Sequence, residues 1–446
     1  MKKILVFLLA SLPVIPAFSA KKEKPQPLLF PDGTPVSEWF QEGPAVDVNA
    51  LGQQYGFYDN GIISSSELVQ TEKIQSLIDK AAANGGGVIV VPEGIFKSGA
   101  LFLRQGTHLW LQKGAVLLGS DDIFDFPLRD TRIEGEICKY FPALLNVDGV
   151  DGATIFGEGT IDGNGSRYWQ LFRLRKKWFP QCTNKDEMRP RLVHLSNSRN
   201  VTINGVNLQN SPFWTCHVYK CENVKLLNLR IFSPVRPIES ASADGIDLDV
   251  VKNVYVKNCR ITVNDDGICF KGGKGPYADS DPNNGANENI LVEECTMDHT
   301  PRSCFTCGSE SIHTRNVLIR NCRIIDGEFV LMLKMRPDTP QNYEYITIDG
   351  IEGNCFKSVL SIYRWTQFFD LKGRPDKPMS YGSHITLKNI KLEVDSFAQT
   401  CRADDEFIVS DVTFENMDIQ AKQPEWDKGA IDNLTIKNVK INGIVQ

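Results

Sequence analysis

The sequence lacks a long apolar run beyond its first fifteen residues, and it lacks an excess of basic residues. Lys2 and Lys3 precede an apolar stretch at 4–15, which is shorter than the roughly 20 residues that a membrane-spanning helix needs. Small residues at 17–20 suit cleavage, so we expect residues 1–20 to be an export signal that leaves the mature chain periplasmic or extracellular, without membrane insertion. The formal net charge of −6 at pH 7 argues against nucleic acid as a general partner.

The spacing of the 12 cysteines gives little support for disulfides or zinc. Cys304 and Cys307 are spaced like half of a zinc site, yet the sequence offers no second pair with suitable spacing, so we expect no metal and no cofactor. Cys259, Cys295 and Cys322 occupy the same slot of three similar segments. We interpret them mainly as a stack of small buried residues, because free cysteine packs well inside proteins.

Two-residue turns of the hairpin type are also scarce, which argues against a β-propeller or a β-sandwich. The sequence instead contains a repeat of nine short segments rich in β-branched residues, which recur 22 to 39 residues apart. They begin at Asn200, Asn223, Asn253, Asn289, Asn316, Tyr345, His384, Asp411 and Asn433. This spacing fits coils of about 22 to 30 residues with inserted loops. We therefore predict an all-β fold, a right-handed parallel β-helix that forms one domain over residues 21–446.

One amphipathic helix is expected before the first coil. Ile74, Leu77, Ile78 and Ala81 follow the i, i+3, i+4, i+7 pattern within 71–83. A glycine run then stops the helix, and a strand follows at 88–91. A helix at this place would cover the open end of the solenoid, whose unpaired strand edge is otherwise an aggregation hazard.

Asp244, Asp265 and Asp266 form the most informative cluster of the chain. Asp244 and Asp265 are 21 residues apart, about one coil of such a solenoid, in which neighbouring strands lie roughly 4.8 Å apart. The three carboxyl groups therefore gather on one face, where like charges shielded from water cannot all ionise. One carboxyl then stays protonated near neutral pH beside ionised bases, a combination that glycoside hydrolysis requires. The alternative is a calcium-binding or surface aspartate cluster.

Several glycine-rich, aromatic and aspartate motifs follow one another along the chain. They lie at 94–99, 114–120, 157–165, 210–214, 243–247 and 264–266. In these motifs the chain resembles the polygalacturonase family, glycoside hydrolase family twenty-eight, over nearly its whole mature length. The resemblance implies a right-handed β-helix that cleaves α-linked galacturonate-containing polymers with inversion.

The resemblance also implies a role for each aspartate. Asp265 would be the general acid, and Asp244 and Asp266 would hold and deprotonate the attacking water. Inverting hydrolysis places acid and base carboxyl groups about 6.5 to 9.5 Å apart with a water between them. Consecutive strand residues point to opposite faces, so Asp265 and Asp266 share one cleft only if the chain bends there, and Gly267 favours such a bend.

The chain departs from the family pattern in two places. Pro301, Arg302 and Ser303 stand where the family carries Gly-His-Gly, and Met332 stands where the first residue of Arg-Ile-Lys is expected, so that only Lys334 is kept. In the family these groups tune the acid and bind the sugar carboxylate. We therefore expect a rhamnose-containing or otherwise substituted pectic substrate, attacked from a chain end, in preference to plain polygalacturonate.

Further candidates for substrate binding are cations and one histidine that are spread over the chain. Besides Lys334 they are Arg302, Lys271, His217, Arg336 and Arg364. A guanidinium binds a carboxylate bidentately, so the arginines are possible replacements for the missing cation. The basic and aromatic stretch 167–191 is either a cleft wall that attracts an anionic glycan or a solvated helix face.

Two other functions stay open at this point. A calcium-dependent pectate lyase on the same fold is the nearest rival enzyme, and a non-catalytic glycan-binding solenoid is the rival from another class. We expect a pectic polymer or oligosaccharide as the partner, and a monomer.

Overall fold

The computed structural model describes residues 27–234 and 236–446, so the predicted export signal lies outside the described residues and stays a prediction. Two α-helices are present in this part of the chain, α1 at Thr71–Ala83 and α2 at Ser166–Trp178, and neither is long and apolar enough to cross a membrane. Short 3-10 turns lie at Val48–Leu51, Tyr58–Asn60, Ile123–Asp125, Ala278–Ser280 and Lys428–Ala430. The strands, β1 to β32 in chain order, are Gln54–Gly56, Ser65–Val69, Gly87–Val91, Gly94–Ser98, Leu101–Leu103, Thr107–Leu111, Ala115–Gly119, Arg129–Ile133, Glu136–Tyr140, Leu145–Asp148, Thr154–Gly157, Thr160–Asp162, Val193–Ser196, Arg199–Asn204, Asn207–Gln209, Cys216–Tyr219, Glu222–Leu227, Arg230–Phe232, Ile246–Asp249, Lys252–Lys257, Arg260–Thr262, Ile268–Phe270, Ala286–Glu293, Thr296–Asp298, Ser303–Cys307, His313–Met335, Asn342–Arg364, Ser380–Gln399, Phe407–Val409, Val412–Gln423, Thr435–Ile441 and Ile444–Val445.

The strands stack in parallel, coil upon coil, and the predicted right-handed parallel β-helix is confirmed. Each strand pairs with the strand three places further along the chain over most of the molecule, for example β14 with β17 and β17 with β20. Later strands such as β26 run through three faces of one coil without a break. We call β10, β13, β16, β19, β22 and β25 the site sheet, because it carries the functional residues described below.

A ladder of side chains explains the asparagines that open the repeated segments. All nine first residues have a positive φ between 51° and 58°, a conformation that asparagine tolerates better than most residues. The Asn253 amide donates to the side-chain oxygen of Asn223 at 3.0 Å, and the Asn289 amide donates to that of Asn253 at 3.1 Å. Tyr345 and His384 continue the column as stacked rings with centroids 4.6 Å apart. The ladder therefore fixes the same turn in successive coils.

The interior is a continuous apolar column. Val224, Val254 and Ile290 are register partners in consecutive coils, and each is fully buried. Removing one such side chain from a packed core costs about 2 to 5 kcal/mol. All 12 cysteines are unpaired, and the predicted stack is confirmed because Cys295 contacts both Cys259 and Cys322.

The helix α1 has the predicted bounds and buries the predicted residues Ile74, Leu77, Ile78 and Ala81. It packs against the first coils, so the expected cap is confirmed. The structure also contains two inserted segments whose secondary structure was not predicted from the sequence. Strands β8 and β9 form an antiparallel hairpin, and α2 follows β12 within the basic stretch. Both lie beside the site sheet, where they shape the groove.

Candidate active site

Asp244 and Asp266 lie at the same place in two consecutive coils, each just before a strand of the site sheet. The Gly245 N–H donates to the Asp266 carbonyl at 3.0 Å, and the Gly267 N–H donates to the Ser303 carbonyl at 2.8 Å, so the backbones are in register. One carboxyl oxygen from each of Asp244, Asp265 and Asp266 lies within 4.8 Å of the other two. The stacking of coils thus brings together the three groups that the 21-residue spacing suggested would meet.

A bend before β22 lets a carboxyl oxygen of Asp265 lie within 4.8 Å of one of Asp266. The Asp266 N–H donates to Asp265 Oδ1 at 3.0 Å, which leaves the other oxygen of Asp265 to carry a proton. Gly267 is required here because a Cβ at this residue would lie 2.7 Å from the Cys304 carbonyl oxygen of the next coil. A glycine is therefore needed at this bend, because the next coil leaves no room for a Cβ atom.

The pKa values of Asp265 and Asp266 are shifted in opposite directions. Burial raises the pKa of Asp265 to about 8, and the neighbouring carboxyl groups of Asp244 and Asp266 add to this effect. Burial also acts to raise the pKa of Asp266, but the Lys334 ammonium overrides it and holds that pKa below its usual value. Lys334 Nζ donates to Asp266 Oδ2 at 2.5 Å, and the Ser303 N–H donates to Oδ1 at 3.0 Å. Near neutral pH the pair therefore consists of an acid beside an ionised base.

Asp244 belongs to a second buried cluster. Burial and the neighbouring Asp247 raise the pKa of Asp244 well above its usual value, and burial raises the pKa of Asp247 to about 7. Lys271 compensates these groups, because its Nζ lies 3.6 Å from Asp244 Oδ2, 3.5 Å from Asp247 Oδ1 and 3.3 Å from Glu310 Oε2. Its ammonium also lies 4.7 Å from the centre of the Trp214 ring. Lys271 is 4% exposed, so it orders the carboxyl groups rather than offering a free cation to a substrate.

Within residues 27–234 and 236–446, two groups of side chains have ligand atoms close enough to hold a metal ion. They are Asp244 with Asp265 and Asp266, and Asp244 with Asp247 and Cys269. Lys334 and Lys271 already place positive charges against these carboxyl groups. A divalent cation at either position would therefore meet a resident ammonium within a few ångströms, and neither donor set suits it.

The nearest oxygen atoms of the three carboxyl groups lie closer together than the separation expected for an acid and a base. These lie within 4.8 Å, whereas about 6.5 to 9.5 Å separates the carboxyl groups of typical inverting enzymes and about 5 to 5.5 Å those of retaining enzymes. The physical reason is that Asp265 and Asp266 are consecutive residues, while Asp244 lies only one strand spacing away in the preceding coil. Carboxyl spacing alone therefore gives no support for inversion here.

Arg302 lies in the coil after Asp265, at the position where the family pattern carries its histidine. It lines a cleft of about 420 Å³ together with Asn264, Asp265 and residues of α2, which we call the acid cleft. Its positive charge opposes the rise in the pKa of Asp265. Arg302 is exposed and has no ion-pair partner among the described residues, so it can meet an anionic substrate.

Three of the proposed substrate-binding residues already have charged partners or hydrogen-bond partners within the protein. His217 is fully buried; since a guanidinium can only donate, its Nδ1 accepts from Arg191 Nη1 at 2.7 Å and its Nε2 donates to Asp249 Oδ2 at 3.2 Å. Burial lowers the pKa of His217 to about 4, so the ring is neutral. Arg336 is buried against Asp338, and Arg364 is bound to Glu406. We correct the expectations for His217 and Arg336, because both side chains are buried against partners within the protein, whereas Arg364 is exposed and its role stays a prediction.

Sequence reasoning missed Asp247, Glu310 and the hairpin β8–β9. Alternation within β19 was the available signal for Asp247, since Ile246 and Leu248 point inward and Asp247 must then point outward. The hairpin is held by Arg132, which is fully buried and donates to both oxygens of Asp249 at 3.0 and 3.2 Å. Those partners are 117 residues apart, a distance at which the local pattern carries no signal.

Comparison with known proteins agrees with this geometry. A family model described as "Glycosyl hydrolases family 28" matches residues 124–441. The chain therefore belongs to the glycosyl hydrolases of family 28.

Individual relatives are distant. The endo-polygalacturonase of Pectobacterium carotovorum subsp. carotovorum is 24% identical over 370 residues, which cover 78% of this chain and 77% of that protein. The probable polygalacturonase of Vitis vinifera is 29% identical over 228 residues, and the chain spans 44% of that relative's length and matches it over 49% of its own. Among solved structures, a hyperthermoactive exopolygalacturonase from Thermotoga maritima has a TM-score of 0.74 at 20% identity, covering 88% of this chain and 93% of that chain. The structural likeness shows the shared fold.

Proposed function

We propose that the chain is an inverting hydrolase that removes α-linked galacturonate from the end of a pectic polymer or oligosaccharide outside the cytoplasm. The observation that carries this proposal is the pair Asp265 and Asp266, in which burial raises the pKa of Asp265 to about 8 while Lys334 keeps the pKa of Asp266 low. Asp265 donates its proton to the glycosidic oxygen as the bond from that oxygen to the anomeric carbon breaks. A water forms the new bond to the anomeric carbon and gives its proton to Asp266, with Asp244 holding the water.

Attack by water, rather than by a carboxylate, is supported by the state of Asp266. This residue is 2% exposed, and its two oxygens accept from Lys334 and from the Ser303 N–H. At this exposure the carboxylate is more easily reached by a small water molecule than by the anomeric carbon of a sugar ring. Attack by a water beside the ionised group, and therefore inversion, is the reaction that we propose although the carboxyl groups are close.

The two departures from the family pattern support a substituted substrate. Arg302 replaces the family histidine beside the acid, and Met332 replaces the arginine that would grip a sugar carboxylate. A buried carboxylate without its cation costs several kcal/mol, which would reduce kcat/KM on unbranched homogalacturonan by orders of magnitude. We expect faster turnover of a rhamnose-containing or otherwise substituted pectic fragment.

The hairpin β8–β9 supports attack at a chain end. It crosses the outward side of the site sheet, where Arg132 binds Asp249 and Asn284, and Asn284 accepts at 2.7 Å. Its tip packs so tightly that a Cβ at Gly135 would lie 2.9 Å from the Cβ of Lys274. The hairpin therefore forms a wall over part of the site sheet, and we propose that a long chain does not continue past it over the earlier coils.

The first experiment tests hydrolysis itself. Asp265→Asn keeps the shape of the side chain but cannot donate the proton, so kcat should fall by about 10² to 10⁴-fold or more on defined pectic oligosaccharides. Thermal unfolding of the variant checks that the fold is intact. A variant that keeps more than about a tenth of the wild-type rate would exclude Asp265 as the acid.

Product analysis separates the proposal from its rivals. A calcium-dependent lyase would form an unsaturated product that absorbs ultraviolet light, and a chelator would stop it. A non-catalytic solenoid would bind fragments and release no reducing ends. We expect new reducing ends without ultraviolet absorbance, and short products from the first time points. Long oligomers at early times would exclude attack from a chain end.

A further inference from the structure

The helix α2 forms one wall of the acid cleft and is held rigidly in place. Tyr168 and Trp169 lie on the buried face of this helix. The Tyr168 hydroxyl donates to the Ser120 carbonyl at 2.9 Å, and Trp169 Nε1 donates to the Ser211 carbonyl at 3.1 Å. Arg173 Nε donates to the Glu239 carbonyl at 2.9 Å on the opposite wall. These contacts fix the first two turns of the helix, and Lys176 and Lys177 of its last turn line the cleft.

The charges that line the acid cleft do not balance. Arg173 pairs with the Glu239 carboxylate at 2.8 Å, so these two charges cancel. Lys176, Lys177 and Arg302 line the same cleft, and within the described residues none of them has an ion-pair partner. With its raised pKa, Asp265 is largely uncharged at neutral pH. The cleft is therefore strongly positive and suits an anion.

The acid cleft lies on the leaving-group side of the reaction. Of the three aspartates, only Asp265 lines it, whereas Asp244 and Asp266 do not. In an inverting reaction the acid protonates the leaving oxygen, and the water held by the base attacks from the opposite face of the sugar. The fragment that departs therefore occupies the space in front of Asp265.

We propose that Lys176, Lys177 and Arg302 form a subsite for a uronate carboxylate carried by the leaving fragment. This inference rests on the proposed hydrolysis and names the chemistry that the site prefers on its leaving-group side. Two ammonium groups and a guanidinium surround a cleft of about 420 Å³, which has room for a sugar residue. Arg302 binds a carboxylate through its planar fork, and the lysines add charge without fixing its orientation. A substrate whose leaving fragment is neutral would leave this cluster unused.

The test compares the wild-type protein with the double variant Lys176→Ala/Lys177→Ala on two substrates. One is a galacturonate oligosaccharide, whose leaving fragment carries a carboxylate, and the other is 4-nitrophenyl α-galacturonide, whose leaving group carries none. We expect the ratio of kcat/KM for the oligosaccharide to that for the aryl substrate to fall about tenfold or more in the variant, because charged hydrogen bonds are lost for one substrate alone. The fall should lie mainly in KM and should shrink as salt is added.

Two further variants complete the design. Lys176→Arg/Lys177→Arg keeps both charges, so the ratio of the two kcat/KM values should stay close to that of the wild-type protein. Arg175→Ala removes one positive charge from the same turn, but Arg175 faces Glu187 at 3.7 Å and does not line the cleft, so the ratio should stay within about twofold of wild type. Equal losses on both substrates, or the same fall with Arg175→Ala, would overturn the subsite. Wild-type protein that hydrolyses neither substrate would overturn the proposed function as well.

Discussion

Asp265 and Asp266 are neighbours in sequence, and their opposite pKa shifts come from their different partners. Asp266 receives the Lys334 ammonium and a backbone N–H, which stabilise its ionised form. Asp265 is surrounded by Asp244 and Asp266, which disfavour a further negative charge. The sequence could predict that one of the carboxyl groups stays protonated, because three of them meet on one face. It could not show which one from charge alone, since Lys334 is 68 residues away from Asp266.

The pH dependence of kcat/KM follows from these two shifts. Asp265 acts in its protonated form, so activity should persist above neutral pH and fall as the pH rises through about 8. Asp266 acts in its ionised form, so the acidic limb should lie below the usual range of an aspartate. A pH profile measured on the isolated protein tests both limbs. A rate that still rises above pH 9 would contradict the assignment of Asp265 as the acid, since little of it is then protonated.

Arg302→Ala should move only the basic limb of that profile. The positive charge of Arg302 opposes the rise in the pKa of Asp265, so its removal should shift the limb to higher pH while kcat/KM on an anionic substrate falls. Arg302→Lys keeps the charge and serves as the control. A basic limb that does not move would show that Arg302 lies too far from Asp265 in solution to act on it.

At the scale of secondary-structure elements, the sequence predicts an amphipathic helix more readily than it predicts the fold of an inserted segment. The helix α1 was predictable to its bounds because four apolar residues mark its buried face. The hairpin β8–β9 and the role of α2 were not, because their buried contacts are polar and join distant segments, such as Arg132 with Asp249. The corrected residue His217 belongs to the same network, since it links Arg191 to Asp249.

The hairpin gives a prediction about stability. Arg132→Ala would leave the buried Asp249 without its cation, so the free energy of unfolding should fall by about 3 to 5 kcal/mol. Lys139→Ala removes a cation from the same hairpin, but its partner Asp130 is 65% exposed, and the loss should be about 1 kcal/mol or less. Denaturant unfolding of the two variants provides the comparison. Equal losses would mean that the Arg132 pair does not anchor the hairpin.

At the scale of the whole molecule, the repeat spacing was enough to predict the solenoid, and the nine opening residues proved to be one column of positive φ. The sequence did not show that their side chains form a ladder, because the hydrogen bonds join residues of successive coils. The position of the groove wall also depends on how the insertions fold back. These inserted segments have no sequence repeat, so their path could not be predicted.

The ladder predicts how the solenoid responds to a change in its middle. Asn253→Ala removes two amide hydrogen bonds and puts alanine at a φ of 55°, so it should reduce stability by about 2 to 3 kcal/mol. Asn253→Gly loses the same hydrogen bonds without the conformational cost, and it should be the more stable variant by about 1 kcal/mol. Unfolding midpoints in denaturant give the order of the two. Alanine at least as stable as glycine would show that the turn is not held at positive φ.

The stereochemistry of the first product tests the central claim most directly, because the close spacing of the carboxyl groups does not favour inversion by itself. Proton NMR taken early in the hydrolysis of an α-linked galacturonide, before mutarotation, reports the anomer that leaves the site. If Asp265 protonates the leaving oxygen while water held by Asp244 and Asp266 attacks from the opposite face, the first sugar released is the β anomer. An α anomer at the earliest times would mean that a carboxylate attacks the sugar directly, and it would contradict the roles assigned to all three aspartates.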